Sequence, residues 1–315
     1  MSTHRIAVVG ENLVDLLVAP GGEVKAVVGG GPFNVARAIG RLGGEVHFFT
    51  GVSDDAFGSF VRDSLEESGV HLVFERPFTQ PTTVAVVELN GAGPRYHFHL
   101  NDTAAFSLDP RETLSALEAL GELDALYVGT LGLVVEPMAS LSEAVVDAVA
   151  GSTLVVLDPN CRPSAVRDHD AYRSRVRRLC ARADIVKVST EDVAYLYPGQ
   201  DPLGGARALA DLGAGCVVVT DGPAAVRALV GGSVIAVPVA PVSLVDTVGA
   251  GDSLVGGLMR WWTGHDYTRE DVHDPAMVEA ALRAAVDVSR LTCERAGAQS
   301  PLRDELLSLE GWRWL

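Results

Sequence analysis

Apolar, β-branched runs recur along the chain, and most are separated by segments of helical period. The runs at 5–10 (RIAVVG), 45–51, 123–129, 153–158, 184–189 and 215–221 predict strands. In 57–68, Phe57, Phe60, Val61 and Leu65 fall at i, i+3, i+4 and i+8, which is one helix face. Residues 33–42 repeat that spacing and stop at Gly43-Gly44. Helices are also expected over 136–150, 170–182, 203–213 and 275–291. Strands that are apolar on both faces and alternate with helices imply a mostly parallel sheet between two helix layers. Two stretches break the alternation, at about 13–29 and 82–101. The second reads as two strands around NGAGP, a hairpin signal. Together they predict a small separate β-sheet. No repeat, low-complexity tract or linker divides the chain, so one α/β domain over 1–315 is expected.

Composition narrows the function. The chain has 315 residues, 48% of them hydrophobic, with mean hydropathy +0.22. That is ample for a large core. The formal charge is −16 and the pI about 4.8, which argues against nonspecific nucleic-acid or anionic-membrane binding but leaves room for a local basic pocket. Cys161, Cys180, Cys216 and Cys293 form no CxxC pair, so a reducing cytoplasm is expected. The first residues lack a signal-peptide apolar run, and no stretch approaches the roughly 20 apolar residues of a membrane span.

Four polar constellations interrupt the apolar pattern. The first is Asp15 with GGGPFNVARAIGRLG (29–43). Glycines admit close backbone approach, Asp15 accepts hydrogen bonds, and Asn34 both donates and accepts, a mixture that polyol hydroxyls need. A plain glycine turn capped by Asn34 explains the same residues. A degraded dinucleotide fingerprint at Gly29, Gly31 and Asn34, with Asp54 or Asp55 as the ribose acid, is weaker, because the third glycine is absent. The second is DPNCRP (158–163) at a strand end, where Arg162 suits a phosphate or a sugar hydroxyl, or is a surface arginine of a proline turn. The third is KVSTED (187–192). It offers a capping box of Ser189 and Asp192, or polar groups beside a nucleotide's phosphates and Mg²⁺. The strand-to-glycine turn VVVTDGPAAV (217–226) suits a nucleotide without being specific.

The fourth is DTVGAGDS (246–253), followed by an apolar run that opens a helix. Free amides at a helix start attract an anion, yet Asp252 sits there. It is no P-loop, since the lysine and the GK[ST] ending are missing. Asp252 either caps the helix or takes a proton from a hydroxyl attacking phosphorus while the amides of residues 248–251 hold the phosphate charge.

DTVGAGD resembles the C-terminal signature of the PfkB, or ribokinase-like, carbohydrate kinase family, and GGGPFNVARAIGRLGG resembles its N-terminal one. GVSDDAFG, DPNCRP and KVSTED follow in the family's order, so the resemblance runs from Ile6 to about Pro301. It implies a Rossmann-like α/β fold with a β lid over the sugar. It implies Asp252 as catalytic base and Gly249, Ala250 and Gly251 as anion hole. Asp15, Gly30, Gly31 and Asn34 become sugar contacts, with Arg95 or Arg162 as cations for a charged acceptor. Lys187, Ser189, Asp192, Thr220 and Gly222 fall on the ATP side. Asp246 and the Val248 carbonyl fall near a monovalent cation (K⁺) site where the family uses one. Asp192 stands where relatives often carry the longer Glu, and Ala225 replaces a usual glycine of the nucleotide turn.

Within the family, GENLVDLL, DPNCRP and KVSTED look most like the fructokinase branch, which implies ATP-dependent phosphorylation of D-fructose with Mg²⁺. 2-Keto-3-deoxygluconate kinase has similar strings, and other PfkB sugar or nucleoside kinases fit less well. A non-catalytic sugar sensor would lose the base or the anion hole, and a dehydrogenase leaves DTVGAGD unexplained. An exposed lid edge offers a homodimer contact.

Overall fold

The computed structural model describes residues 4–90, 93–149 and 151–314. The described residues form thirteen strands: β1 Arg5–Val9, β2 Leu13–Val18, β3 Val24–Gly29, β4 Glu45–Phe49, β5 Val70–Leu72, β6 Val84–Asn90, β7 Gly93–His99, β8 Ala125–Gly129, β9 Leu154–Asp158, β10 Ile185–Ser189, β11 Cys216–Thr220, β12 Val226–Val230 and β13 Ser233–Val237. Nine form one sheet in the order β13-β12-β11-β10-β9-β8-β1-β4-β5, parallel from β11 to β5. β12 and β13 extend it antiparallel. The second sheet has the order β3-β2-β6-β7. Residues 91 and 92 of the expected NGAGP turn lie outside the described residues.

The alternation of side chains along each strand explains the layers. Ile6 and Val8 join one hydrophobic cluster with Phe33, Ile39, Trp262 and Leu282. Ala7 and Val9 join the other with Leu117, Leu141, Val176 and Leu209. Burying each such side chain contributes on the order of 1.5–3 kcal/mol, so the sheet is held from both faces. The expected helices form at Gly31–Arg41, Ala56–Glu67, Met138–Ala148, His169–Cys180, Pro202–Ala210 and Pro275–Cys293. Among the described residues, no helix is long and apolar enough to cross a membrane.

One packing detail places the site. Helix Ala250–Gly264 carries Gly256, where a Cβ would lie 2.6 Å from the Ala38 Cβ and 3.0 Å from the Val35 carbonyl oxygen. The missing side chain lets this helix press directly on helix Gly31–Arg41. Their N-termini, both glycine-rich, therefore meet at the C-terminal edge of the sheet, where ligands of open α/β sheets bind.

Candidate active site

Helix Gly31–Arg41 starts from Gly30 (φ 111°), and helix Ala250–Gly264 from Gly249 (φ 73°). Neither start has a side-chain cap. Asn34 is therefore not a capping residue; its Nδ2 instead donates to Asp252 Oδ2 at 2.8 Å, a bond spanning 218 positions of sequence. Nor does Asp252 cap its own helix. It is 8% exposed. Burial raises its carboxyl above the usual range, while the Asn34 bond and the charges of Lys187 and Arg162 pull it back. A buried carboxylate with one fixed donor is poised to accept a proton.

The expected anion hole needs one correction. The Val248 amide donates to Asp246 Oδ1 at 3.1 Å within its own loop, so it does not face a ligand. The Ala250 amide makes only a long 3.3 Å bond to the Thr247 carbonyl. Gly251 lies in the first helical turn, whose amides have no intrahelical acceptor. Directly behind Gly251 sits Lys187 Nζ, 2.9 Å from where a Cβ would be.

Lys187 is buried and pairs with Asp158 Oδ2 at 3.1 Å. Burial opposes its charge, but Asp158, Asp192 and Asp252 together raise its pKa. Burial also pushes the Asp158 carboxyl up, against the Lys187 charge. With three carboxylates around one ammonium, the lysine stays charged. This puts a positive charge beneath the start of helix Ala250–Gly264.

Asp192 is 3% exposed. Its Oδ1 accepts the Cys161 amide at 2.6 Å and its Oδ2 the Ser189 amide at 2.7 Å, while Ser189 Oγ accepts the Asp192 amide at 3.1 Å. The capping box thus exists, and Asp192 ties the ends of β9 and β10 together. Thr220 at the end of β11 is half-buried, and Gly222 (φ 48°) is exposed with open space beside it. Among the described residues, no group of three or more His, Cys, Asp or Glu side chains stands ready for a metal ion. Asp246 is half-buried and accepts amides on both oxygens, from Val248 and from Gly297 at 2.8 Å. That leaves one lone pair on each oxygen, with the Val248 carbonyl nearby in sequence.

On the other side of the cleft, Asp15 lies on β2, and its Oδ2 is 2.9 Å from where a Gly29 Cβ would be. Burial pushes its carboxyl up to about 6, and the Arg162 charge lowers it. Arg162 Nη1 donates to Asn160 Oδ1 at 2.7 Å and to the carbonyls of Asn160 and Cys161. It is held on its own loop with its charge acting on Asp15 and Asp252.

Arg95 is the second correction. Strand register aligns Asp15 with Ala85 and Ala85 with Phe98, whereas Arg95 aligns with Glu88. Successive side chains alternate faces, so Arg95 is on the far side of the small sheet from Asp15, and it is exposed. On β7 the side chains that share the Asp15 face are Tyr96 and Phe98, stacked 5.8 Å apart. The Tyr96 hydroxyl is raised by burial and by Asp15. RYHFHL carried the signal: its aromatics and its charged or imidazole groups alternate, so one face is apolar. Asp55 is accounted for structurally as well. It caps helix Ala56–Glu67 through Gly58 and holds Thr82.

Two glycine-rich helix starts thus meet at the C-terminal edge of the parallel sheet, with a buried carboxylate and a buried ammonium beside them. The model of the pfkB family carbohydrate kinase matches residues 3–305, and the chain belongs to that family. A fructokinase of Klebsiella pneumoniae is 35% identical over 307 residues, covering 96% of this chain and 98% of the relative. A crystal structure of a Xylella fastidiosa fructokinase with bound ATP superposes with a TM-score of 0.85 at 26% identity, covering 98% of both chains. A Vibrio cholerae fructokinase bound to fructose, ADP and calcium gives 0.82 at 28% identity, over 98% of this chain and 99% of that one.

Proposed function

We propose that the chain transfers the γ-phosphoryl group of MgATP to a primary hydroxyl of a ketose, D-fructose first. The observation that carries this is the Asn34–Asp252 contact between the two helix starts, with Lys187 behind Gly251. The attacking hydroxyl gives its proton to Asp252 as its oxygen bonds to phosphorus and the bond to ADP breaks. Asn34 holds the carboxylate in place. The free amides at Gly249 and Gly251 take the charge that builds on the transferred group, and Lys187 adds a fixed positive field from below. The carboxylate thus belongs to the nucleophile and the helix end to the phosphoryl group. Asp15, Gly30 and Gly31 hold the sugar under Tyr96 and Phe98.

Ser189, Thr220 and Gly222 lie along the strand ends on the ATP side. Mg²⁺ arrives with the nucleotide, bound by phosphate oxygens and water. Asp246 and the Val248 carbonyl are the donors for a K⁺-type ion. The small sheet acts as a lid within one domain over 1–315. Its edge strands β3 and β7 offer a second copy of the chain a place to pair.

A second reading, a sugar acid such as 2-keto-3-deoxygluconate as acceptor, rests on the Arg162 charge beside Asp15. One assay separates them: the protein with ATP, Mg²⁺ and a panel of ketoses and the sugar acid, following ADP. Fructose should give the highest kcat/KM. A tenfold advantage for the sugar acid would overturn the choice of acceptor, and nucleotide-independent sugar binding without ADP would overturn the enzyme.

A further inference from the structure

Lys187 stands among three carboxylates and pairs with one of them. The charges of Asp158, Asp192 and Asp252 all act on it. Among the described residues its ion pair is with Asp158 alone, at 3.1 Å. Asp192 is already occupied, because each of its oxygens accepts a backbone amide, from Cys161 at 2.6 Å and from Ser189 at 2.7 Å. Asp252 is less so. Asn34 donates to its Oδ2 at 2.8 Å, and its other oxygen is open to a cation. What keeps the ammonium from that oxygen is the fixed position of Asp158. This residue ends β9 and is fully buried. Its backbone carbonyl lies 2.3 Å from where a Gly129 Cβ would be, so β8 approaches it at a residue without a side chain. Its Oδ1 accepts the Asn160 amide at 3.1 Å, which turns Oδ2 toward the lysine.

We propose that Asp158 is a positioning residue that holds Lys187 beneath Gly251 and off Asp252, leaving the Asp252 carboxylate free to take the acceptor's proton. The proposal rests on reading Asp252 as the general base. The physics is a competition for one ammonium. An ion pair between Lys187 and Asp252 would stabilise the charged carboxylate, and a stabilised carboxylate is a weaker base. It would also draw the ammonium from beneath the helix start, where a positive charge favours phosphoryl transfer. Asp158 prevents both by offering a nearer carboxylate. With no exposed surface, it touches neither substrate and acts only through Lys187. The other groups that face Asp252 do not compete for the lysine. Asn34 is neutral and Arg162 is itself a cation. The Tyr127 hydroxyl on β8 is kept protonated by burial and by the charges of Asp158 and Asp252.

The test follows kcat against pH, with MgATP and the acceptor saturating, in wild type, Asp158→Asn and the double variant Asp158→Asn/Lys187→Met. Asp158→Asn keeps the shape of the side chain and frees the lysine. The acid limb of its profile should move down by about one pH unit, and kcat at pH 7.5 should fall about tenfold, with both KM values within about threefold of wild type. Asp158→Ser, equally neutral and still able to accept the Asn160 amide, repeats this arm should Asp158→Asn not fold. The double variant removes the competing ammonium as well, and deleting both members of a buried pair strands no charge. Its acid limb should return to within about half a pH unit of wild type. A merely structural loss would lower kcat without moving the limb. An unmoved limb in the single variant, or a limb that stays down in the double, would overturn the proposal. Failure of the reading beneath it shows separately, as turnover near wild type in Asp252→Asn.

Discussion

The two glycine-rich helix starts are built alike and surrounded differently. Each begins at a left-handed glycine without a side-chain cap, Gly30 and Gly249. Beside Gly31 the nearest side-chain atoms are a hydroxyl and an amide, Thr130 Oγ1 and Asn160 Nδ2; beside Gly251 the nearest is an ammonium, Lys187 Nζ. Helix Gly31–Arg41 has no acid in its first turn, whereas helix Ala250–Gly264 has Asp252. In the proposed function the same backbone device, exposed amides at a helix end, serves the sugar at one start and the phosphoryl group at the other. What assigns the task is the set of side chains brought in from distant strands.

The largest expected effect breaks the phosphoryl start. Asp252→Asn keeps the shape and cannot take the proton, so kcat should fall by about 10²–10⁴; coupled ADP release measures it, and turnover near wild type would assign the base elsewhere. Lys187→Met should come next. It leaves Asp158 buried without its cation, a change that costs about 3–5 kcal/mol where the carboxylate remains ionised. Burial already raises the Asp158 carboxyl, so its neutral form is favoured at low pH, and the loss should be clearly larger at pH 8 than at pH 5.5 in urea unfolding. An equal loss at both would mean that Asp158 does not titrate between them.

Paired alanines sharpen the comparison at about the tenfold level. Gly251→Ala directs a methyl at the Lys187 ammonium and Gly31→Ala directs one at the Thr130 hydroxyl. The first should lower kcat and the second should raise the sugar KM. Loss of the same parameter in both would erase the division between the two starts.

Acidity acts on the sugar side. Asp15, raised from 3.8 to about 6 by burial, is the stronger acceptor when ionised, with both oxygens free of a proton, and the proposed sugar contact depends on it. The sugar KM should rise roughly tenfold from pH 7.5 to pH 5. Asp15→Asn should have a high KM that no longer varies with pH. The ligand-free protein should respond with the opposite sign: a raised carboxyl stabilises the fold below about pH 4, and this contribution is lost as pH rises through about 6. The smallest effect belongs to Arg95→Ala, on the outer face of the small sheet. Neither KM should change by more than twofold, and a tenfold rise in sugar KM would return Arg95 to the site.

Much of the large sheet was legible because its parallel strands are apolar on both faces and stand out as runs. The β12–β13 hairpin was not read, although Gly231 and Gly232, both at positive φ (53° and 87°), form the two-residue turn such hairpins favour. Helix Pro110–Leu120 was also passed over, despite Asp109 capping it through Arg111 and Glu112. In the site, the glycine starts and Asp252 were legible because local backbone chemistry marks them. Arg95 was misjudged because a strand reading without a register does not choose a face. The Ser189–Asp192 capping box was legible from its spacing, whereas the second amide on Asp192, from Cys161, comes from 31 positions away. The Lys187–Asp158 pair and the Asn34–Asp252 contact are products of tertiary packing, and no spacing announces them.

The central claim is that the Asp252 carboxylate serves the attacking hydroxyl and holds neither substrate. Calorimetric titration of folded Asp252→Asn with MgATP, and separately with the acceptor sugar, tests it most directly. Both affinities should match wild type within about threefold, with ATP equal or tighter because a nearby negative charge is gone. A tenfold weaker affinity for either ligand would contradict the account, because it would make Asp252 a group that holds that ligand.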